Sequence, residues 1–239
     1  MGIRNVNVAK AGVAEIRREK SALFSRWHFS DDFAQVAGSA LQPYWTTAVG
    51  GAGTVSIPAV VQNGGIVRLD TVAGGAGVDF ARLIGCQHAV DFDLEPDFWF
   101  LFRPNRVTQC GLYVGLQRDA DEFAFLAFDT SLGHTTWHFI SNDTTGAVDL
   151  TSAFVPVADR WYEVRMNVRN QAGGTQRFIY ARLYDRTSMD APGEGILLTS
   201  GASVLSASDL YRAYVSSESQ GAIISLDVDY YQSFGERWA

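Results

Sequence analysis

Residues 98–102 read Phe-Trp-Phe-Leu-Phe, an uninterrupted run of large apolar side chains near the middle of the chain. The run is too short for an isolated helix and is typical of a strand buried on both faces. After a polar break, residues 111–117 (GLYVGLQ) alternate between two faces, and residues 122–129 (EFAFLAFD) are again apolar on both. We therefore expect three neighbouring antiparallel strands that nucleate the core.

The chain after Ser30 has the punctuation of a β protein, with Gly and Asn or Asp turns between short apolar runs. Residues 161–168 and 176–185 flank a Gly-containing turn and predict a hairpin. The last strand, residues 222–233, is expected to direct Tyr230 inward and Tyr231 outward. About a dozen short strands with one helix indicate an all-β fold, a two-sheet antiparallel jelly-roll sandwich.

The first 28 residues differ from the rest because their apolar residues follow a helical spacing beside a charged cluster at residues 17–20. The stripe comprises Val13, Ile16, Leu23 and Trp27. We expect an N-terminal arm with an amphipathic helix over residues 1–29 and the sandwich domain over residues 30–239. The helix either caps an open end of the sandwich or docks on a partner.

The composition excludes several classes of protein. With 239 residues, 47% of them hydrophobic, the chain can bury one large core. A net charge of -7 argues against nucleic-acid binding, which needs clustered basic side chains. The sequence shows neither a secretion signal nor an apolar run long enough to span a bilayer. We therefore expect no membrane partner, and we expect the protein to be synthesised in the cytoplasm. The spacing of Cys86 and Cys110 indicates two free thiols.

Several short motifs together resemble the concanavalin A-like jelly roll, and within it the laminin-G-like modules of bacterial and phage surface or structural proteins. They are Asp31-Asp32-Phe33, residues 64–69 (GGIVRL), Phe98-Trp99-Phe100, residues 111–116 (GLYVGL), residues 161–164 (WYEV) and residues 226–230 (LDVDY). The resemblance covers roughly residues 30–235. It implies a module that binds glycans, binds proteins or builds an assembly.

Asp91, Asp93 and Glu95 are similar in spacing to the ExDxE catalytic strand of family 16 glycoside hydrolases, which share this fold. The resemblance would make Asp91 the nucleophile, Asp93 a tuning carboxylate and Glu95 the acid/base. The sequence departs from that pattern because Asp91 replaces a Glu and Pro96 follows the acid directly. Alternating acids are also typical of the wet face of a strand, and we expect no enzyme activity. Nucleotide-binding GxxxxGK[ST] and GxGxxG patterns and the hydrolase GxSxG pattern are absent from the sequence.

Other polar and aromatic residues are weaker site candidates. On one strand, His134 and His138 would have Cα atoms roughly 13 Å apart, too far for a shared metal ion. The resemblance permits a calcium site, for which Asp119, Asp121 and Asp129, or Asp227 and Asp229, could supply oxygens, although no ligand-loop spacing supports one. Outward tyrosines could stack on sugars or pack in an interface: Tyr113, Tyr184 and Tyr231.

The favoured hypothesis is a non-enzymatic virion structural protein, either a bacteriophage capsid-decoration or a tail-associated subunit. It would bind other virion proteins through its N-terminal arm and assemble as a homo-oligomer. A carbohydrate-binding module for host glycans is the first alternative. A glycoside hydrolase that uses Asp91 and Glu95 is the second.

Overall fold

The computed structural model describes most of the chain, with strands numbered β1–β16 in chain order. The described residues are 26–31, 33, 41, 45–58, 65–74, 78–85, 90–91, 95–143, 146–170, 177–186, 196–199 and 210–236. Every pairing among the described strands is antiparallel. Two eight-stranded sheets result, which confirms the predicted all-β antiparallel sandwich.

Sheet A has the strand order β14-β13-β12-β7-β16-β4-β3, and β1 also pairs with β16. Its strands are β1 (Arg26–Asp31), β3 (Thr54–Ser56), β4 (Val67–Asp70), β7 (Asp97–Pro104), β12 (Tyr162–Asn170), β13 (Arg177–Asp185), β14 (Ile196–Thr199) and β16 (Ser225–Glu236).

Sheet B has the strand order β11-β10-β9-β8-β15-β5-β2, and β6 also pairs with β15. Its strands are β2 (Trp45–Gly50), β5 (Phe80–Gly85), β6 (Val90–Asp91), β8 (Cys110–Gln117), β9 (Phe123–Asp129), β10 (His138–Asp143), β11 (Gly146–Thr151) and β15 (Leu210–Ser219). A single 3-10 turn, Thr130–Leu132, follows β9 in the described part of the chain.

The core lies between the sheets and is built from the alternation of the strands. Fully buried side chains include Phe98, Phe100 and Phe102 of β7 and Leu112, Val114 and Leu116 of β8. The expectation of three neighbouring strands is nevertheless wrong for β7, which lies between β12 and β16 in sheet A, opposite β8 and β9. The polar segment after Pro104 carries the chain across to the other sheet.

The predicted hairpin is confirmed by β12 and β13, which pair along nine residues each. Tyr162, Val164, Met166 and Val168 face the core from β12, as expected. The outward residues of β12 are polar, and the guanidinium of Arg165 lies 4.1 Å above the ring of Trp99 on β7. This cover explains why a strand that is apolar on both faces is stable at the centre of sheet A.

A β-bulge in β16 overturns the predicted orientation of its C-terminal half. The register against β7 shifts between Val228 and Tyr230, so Asp229 is the extra residue. An added residue reverses the alternation, and Tyr231 points into the core instead of outward. Its ring packs at 5.3 Å from Trp45 and 5.0 Å from Phe100, measured between centroids.

The predicted helical arm is wrong at Trp27, which lies in strand β1 opposite Gly235 of β16. Strand β4 pairs with only the first part of β16, and β1 supplies backbone partners for the remaining edge. Val13, Ile16 and Leu23 lie outside the described residues, as does Cys86. None of the helices in the described part of the chain has the length and apolarity to cross a membrane.

A charged cluster on the outer face of sheet A joins three strands. The buried carboxylate of Asp227 accepts hydrogen bonds from Arg68 Nε (2.7 Å) and Arg103 Nη2 (2.7 Å). Burial raises the pKa of this carboxyl, but the hydrogen bonds from the two guanidinium groups outweigh it, so the pKa lies below its usual range.

We expect Asp227→Asn to lower the free energy of unfolding by about 1.5–3 kcal/mol at neutral pH, as for other hydrogen bonds to charged groups. A lowered carboxyl pKa contributes stability that is present above the unfolded value of about 3.9 and lost as the pH falls below it. Urea unfolding should therefore show a large difference from wild type at neutral pH and a smaller one in acid. An equal difference at both would contradict this. The control is Asp185→Asn, whose half-exposed partner Arg160 predicts a loss below about 1 kcal/mol.

Candidate functional site

The segment predicted as the catalytic strand is divided between the two sheets. Asp91 belongs to β6, which pairs with β15 of sheet B, whereas Glu95 precedes β7 of sheet A. Glu95 has a left-handed backbone with φ of 47°, outside the extended region. Asp93 lies outside the described residues. Asp91 and Glu95 are therefore not neighbours on one face of one strand.

An aromatic groove lies on the outer face of sheet B, the face directed away from the core. Its apolar side chains are Tyr113, Phe123, Phe125, Ile140 and Tyr214. Gln117 and Glu218 add polar groups to the lining, and the open cavity measures about 200 Å³. Outer faces of antiparallel sheets are usually polar, so this concentration of rings marks the groove as the candidate site.

The rings of the groove form a continuous stack. Phe123 and Phe125 alternate onto the same face of β9, and their ring centroids are 4.8 Å apart with an interplanar angle of 7°. Phe125 stacks in turn on Tyr214 of β15 at 5.0 Å. Phe125 and Tyr214 are each only 6% exposed, whereas Phe123 is half-buried. Phe123 is therefore the most accessible ring of the stack.

Gly115 of β8 lies where the ring stack crosses from β9 to β15. It lies directly opposite Phe125 on one side and Tyr214 on the other. The backbones of these two residues are therefore two strand spacings apart, about 9.6 Å across the sheet. A Cβ at position 115 would lie 2.2 Å from the carbonyl oxygen of Ala124, so no other residue fits there without displacement of the backbone.

Hydrogen-bonded polar groups border the rings. The hydroxyl of Tyr113 donates to the carboxylate of Asp129, which also accepts from the backbone N–H of Ser131 (2.8 Å) and from Gln220. Glu218 accepts a hydrogen bond from Arg82 Nη2 at 3.0 Å. The polar groups are thus fixed in position before any ligand arrives, which lowers the entropic cost of binding.

The electrostatics of the site keep its phenols as donors and Asp129 as an acceptor. Burial, and then the hydrogen bond to Asp129, raises the pKa of Tyr113, and burial raises the pKa of Tyr214. Burial also raises the pKa of Asp129, but hydrogen bonds from Tyr113, Ser131 and Gln220 outweigh it, so this carboxyl lies below its usual pKa range. At neutral pH the site presents hydroxyl donors beside an ionised carboxylate.

The three tyrosines predicted as sugar contacts are not brought together. Tyr113 lies in the aromatic groove of sheet B. Tyr184 lies on the outer face of sheet A, where the guanidinium groups of Arg165 and Arg186 lie 5.2 Å and 4.9 Å from its ring. Tyr231 is buried in the core and cannot contact a ligand at the surface.

Three of the carboxylates proposed for a calcium site accept hydrogen bonds within the protein, those of Asp119, Asp129 and Asp227. Asp119 Oδ1 accepts hydrogen bonds from the backbone N–H groups of Asp121 and Glu122. Asp129 and Asp227 accept from the donors described above, and Asp229 lies in the bulge of β16. These contacts argue against calcium at either place.

His134 and His138 are closer than a single strand would allow. Only His138 belongs to β10, since the 3-10 turn and Gly133 (φ 79°) fold the preceding segment back. The two imidazole rings stack at 3.7 Å, and His138 Nδ1 lies 2.7 Å from Asp149 Oδ1. The expected separation is therefore wrong, and these three residues have potential metal ligand atoms within 4.8 Å of one another.

The hydrogen bond to His134 argues against a metal ion at this cluster. The backbone N–H of Asp129 donates to Nδ1 of His134 at 3.1 Å, so the neutral ring carries its proton on Nε2. Neither ring nitrogen then offers a free lone pair to a metal. The three residues form a closed hydrogen-bonded and stacked corner.

Sequence reasoning missed Phe123, Phe125, Tyr214 and Gly115 as site residues. Two signals were present: Phe123 and Phe125 share one face of an alternating strand, and Gly115 interrupts a strand that is otherwise apolar. A glycine inside a strand indicates close approach of neighbouring groups. The stack itself requires the strand order, because β15 reaches β8 from almost 100 residues later in the chain.

Comparisons with solved structures support the fold. The chain is similar to a protein of unknown function from Shewanella oneidensis MR-1, with a TM-score of 0.63 and 13% identity over 92% of this chain and 93% of that one. A seed lectin of Lotus tetragonolobus gives a TM-score of 0.56 at 8% identity, covering 89% and 100%. A glycosyl hydrolase family protein from Mycobacterium fortuitum gives 0.54 at 12% identity, covering 86% and 98%.

At these identities the similarity shows the fold alone. The neighbours include lectin and glycosyl hydrolase structures, in agreement with the concanavalin A-like resemblance of the sequence. No protein-family model matches the chain, and no curated protein matches it.

Proposed function

We propose that this protein binds carbohydrate in the aromatic groove of sheet B and does not cleave it. The observation that carries the proposal is the ring stack of Phe123, Phe125 and Tyr214, bordered by fixed hydrogen-bonding groups. A sugar ring has an apolar C–H face and a rim of hydroxyl groups. Aromatic rings beside preorganised polar groups are complementary to both parts.

The shape of the groove favours a ligand that lies across the sheet. Its volume of about 200 Å³ is below that of sites which enclose a drug-sized molecule, roughly 300–1,000 Å³. One sugar unit would contact the rings while the rest of the glycan extends over the face. Asp129 places negative charge at this face, whereas Glu218 is paired with Arg82, so we expect neutral sugars to be favoured over acidic ones.

The proposal of binding without hydrolysis rests on the backbone positions of Asp91 and Glu95. Retaining glycosidases need two carboxyl groups about 5 Å apart across the scissile bond. Asp91 and Glu95 belong to segments of different sheets. The lowered pKa of Asp129 suits an acceptor and not a general acid.

A glycan array probed with the purified full-length chain tests the proposal. We expect saccharide-dependent signal on neutral glycans, and its absence across the array would count against carbohydrate binding. Reducing-sugar release should stay at background for wild type incubated with every glycan that binds. Release that disappears in Glu95→Gln would establish the hydrolase instead.

The virion role and the homo-oligomer remain predictions from the sequence, without support from the fold or from the structures compared. The anchoring residues Val13, Ile16 and Leu23 lie outside the described residues, and Trp27 lies in a strand. The carbohydrate proposal does not depend on the particle or compartment in which the protein works.

A further inference from the structure

A continuous series of contacts leads from the aromatic groove to His134. The hydroxyl of Tyr113 in the groove donates to the carboxylate of Asp129. The backbone N–H of Asp129 donates to His134 Nδ1 at 3.1 Å, and the backbone N–H of His134 donates to the Asp129 carbonyl at 3.1 Å. His134 therefore helps to position Asp129, and Asp129 in turn holds the hydroxyl group of Tyr113.

The second part of the series joins His134 to the neighbouring hairpin. The ring of His134 stacks on that of His138 at 3.7 Å, with an interplanar angle of 2°. His138 pairs through Nδ1 with Asp149, which lies opposite Ile140 in the β10–β11 register. The histidine pair therefore joins the end of β9, through Asp129, to β10, which contains His138. Ile140 of β10 also lines the groove.

This geometry holds only for a neutral His134. A proton on Nδ1 would face the N–H of Asp129, and two donors at 3.1 Å repel each other. The imidazolium would also stack at 3.7 Å on the ring of His138. Protonation therefore requires His134 to leave its position, which removes the acceptor of the Asp129 backbone N–H.

The charged and titratable groups that face His134 are on three strands. Asp129 ends β9, His138 begins β10 and Asp149 lies on β11. Burial lowers the pKa of His134 and the charge of His138 lowers it further, while the two carboxylates oppose the change. The net lowering agrees with the direction that the hydrogen-bond geometry requires.

We propose that His134 is a titratable positioning residue for the aromatic groove, so that carbohydrate affinity falls when its imidazole takes up a proton. The identity of the ligand in this inference rests on the proposed function, whereas the protonation of His134 and its effect on Asp129 do not. Loss of the Asp129 N–H acceptor removes one of the contacts that position Asp129, so the hydrogen-bond partner of Tyr113 is held less firmly. The entropic cost of ordering the groove on ligand binding is then larger.

The sign of the pH dependence follows from the neutral resting state. A histidine whose folded pKa lies below the unfolded value of about 6.5 stays neutral at pH 7, and the closed corner is complete there. As the pH falls below about 6.5 and through the folded pKa, His134 takes up a proton and its contacts with the Asp129 N–H and the His138 ring are lost. For one linked proton, affinity can fall by at most about tenfold for each pH unit.

The test is isothermal titration with a neutral glycan from the array, at pH values from 8 to 5, on three forms of the full chain. Wild type should lose affinity in acid. In His134→Asn the side-chain oxygen can accept the Asp129 N–H but does not titrate, so affinity should change little with pH. His28→Gln, in β1 of the other sheet, is the matched histidine control and should follow wild type. A profile in His134→Asn as steep as that of wild type, or a flat wild-type profile, would overturn the proposal.

A ligand-free measurement separates the switch from the proposed function. In NMR titrations of wild type, the His134 ring and the Asp129 amide should shift with one common midpoint while far-UV circular dichroism stays constant. His138→Gln removes the opposing charge, so this midpoint should move to higher pH, and this variant decides the question if His134→Asn does not fold. Separate midpoints in wild type, or an unchanged midpoint in His138→Gln, would refute the switch even if no glycan is bound.

Discussion

Trp137→Ala is expected to lower the free energy of unfolding by about 3–5 kcal/mol, the usual cost of truncating a fully buried large ring. Trp137 has no exposed surface and packs between the two sheets. Its ring centroid lies 5.7 Å from that of Phe102 and 5.5 Å from that of Tyr162 in sheet A, and 5.8 Å from that of Phe128 in sheet B. Truncation would leave a cavity where the sheets meet, with a cost to be measured by urea unfolding.

Trp161→Ala is the matched control for this prediction. The ring of Trp161 is half-buried on the outer face of sheet A, with the guanidinium of Arg103 at 4.8 Å. It loses only part of its apolar contacts on truncation, so we expect a loss of roughly 1–2 kcal/mol. Equal losses for the two variants would mean that Trp137 does not join the sheets.

Phe123→Ala is expected to weaken glycan binding by about 30-fold, which corresponds to the roughly 2 kcal/mol of a strong contact residue. Phe123 is the most accessible ring of the stack, and it supports Phe125 at 4.8 Å. Its partial exposure predicts a smaller stability cost than for a fully buried ring. Isothermal titration at neutral pH measures the change, after circular dichroism has shown that the variant is folded.

Tyr184→Ala is the control that tests whether the ligand binds to the outer face of sheet B or to that of sheet A. It removes an aromatic ring from the outer face of sheet A, where Arg165 and Arg186 cover it. We expect wild-type affinity from this variant. If Tyr184→Ala lost binding and Phe123→Ala did not, the site would lie on the opposite sheet.

The alternation of side chains made much of the core predictable from the sequence. Val164 and Met166 of β12, Leu112 of β8 and Leu69 of β4 all face inward as their patterns indicate. Alternation reports burial because one face of each strand must contact the core. It does not report which sheet contains a strand, and β7 was therefore assigned to the wrong neighbours.

Local irregularities account for the errors at individual residues. The bulge at Asp229 reverses the alternation of β16 and buries Tyr231, and nothing in the neighbouring sequence marks an extra residue at that point. The turn at Gly133 brings His134 against His138, whose separation a straight strand would make large. Each error follows from treating a segment as one regular strand.

The candidate site depended on pairings between residues far apart in the chain. Tyr113 was identified because it alternates outward on β8, whereas Tyr214 joins the stack only through the pairing of β15 with β8. The position of Gly115 between Phe125 and Tyr214 likewise follows only from these pairings. Strand order, and not residue type, was the missing information.

NMR chemical-shift mapping with a neutral glycan from the array tests the carbohydrate site most directly. We expect saturable shifts that concentrate on Tyr113, Phe123, Phe125, Ile140 and Tyr214, while signals from Tyr184 and Trp99 on the opposite sheet stay unchanged. Saturable shifts centred on sheet A, or on the segment around Glu95, would contradict the assignment of the groove as the binding site.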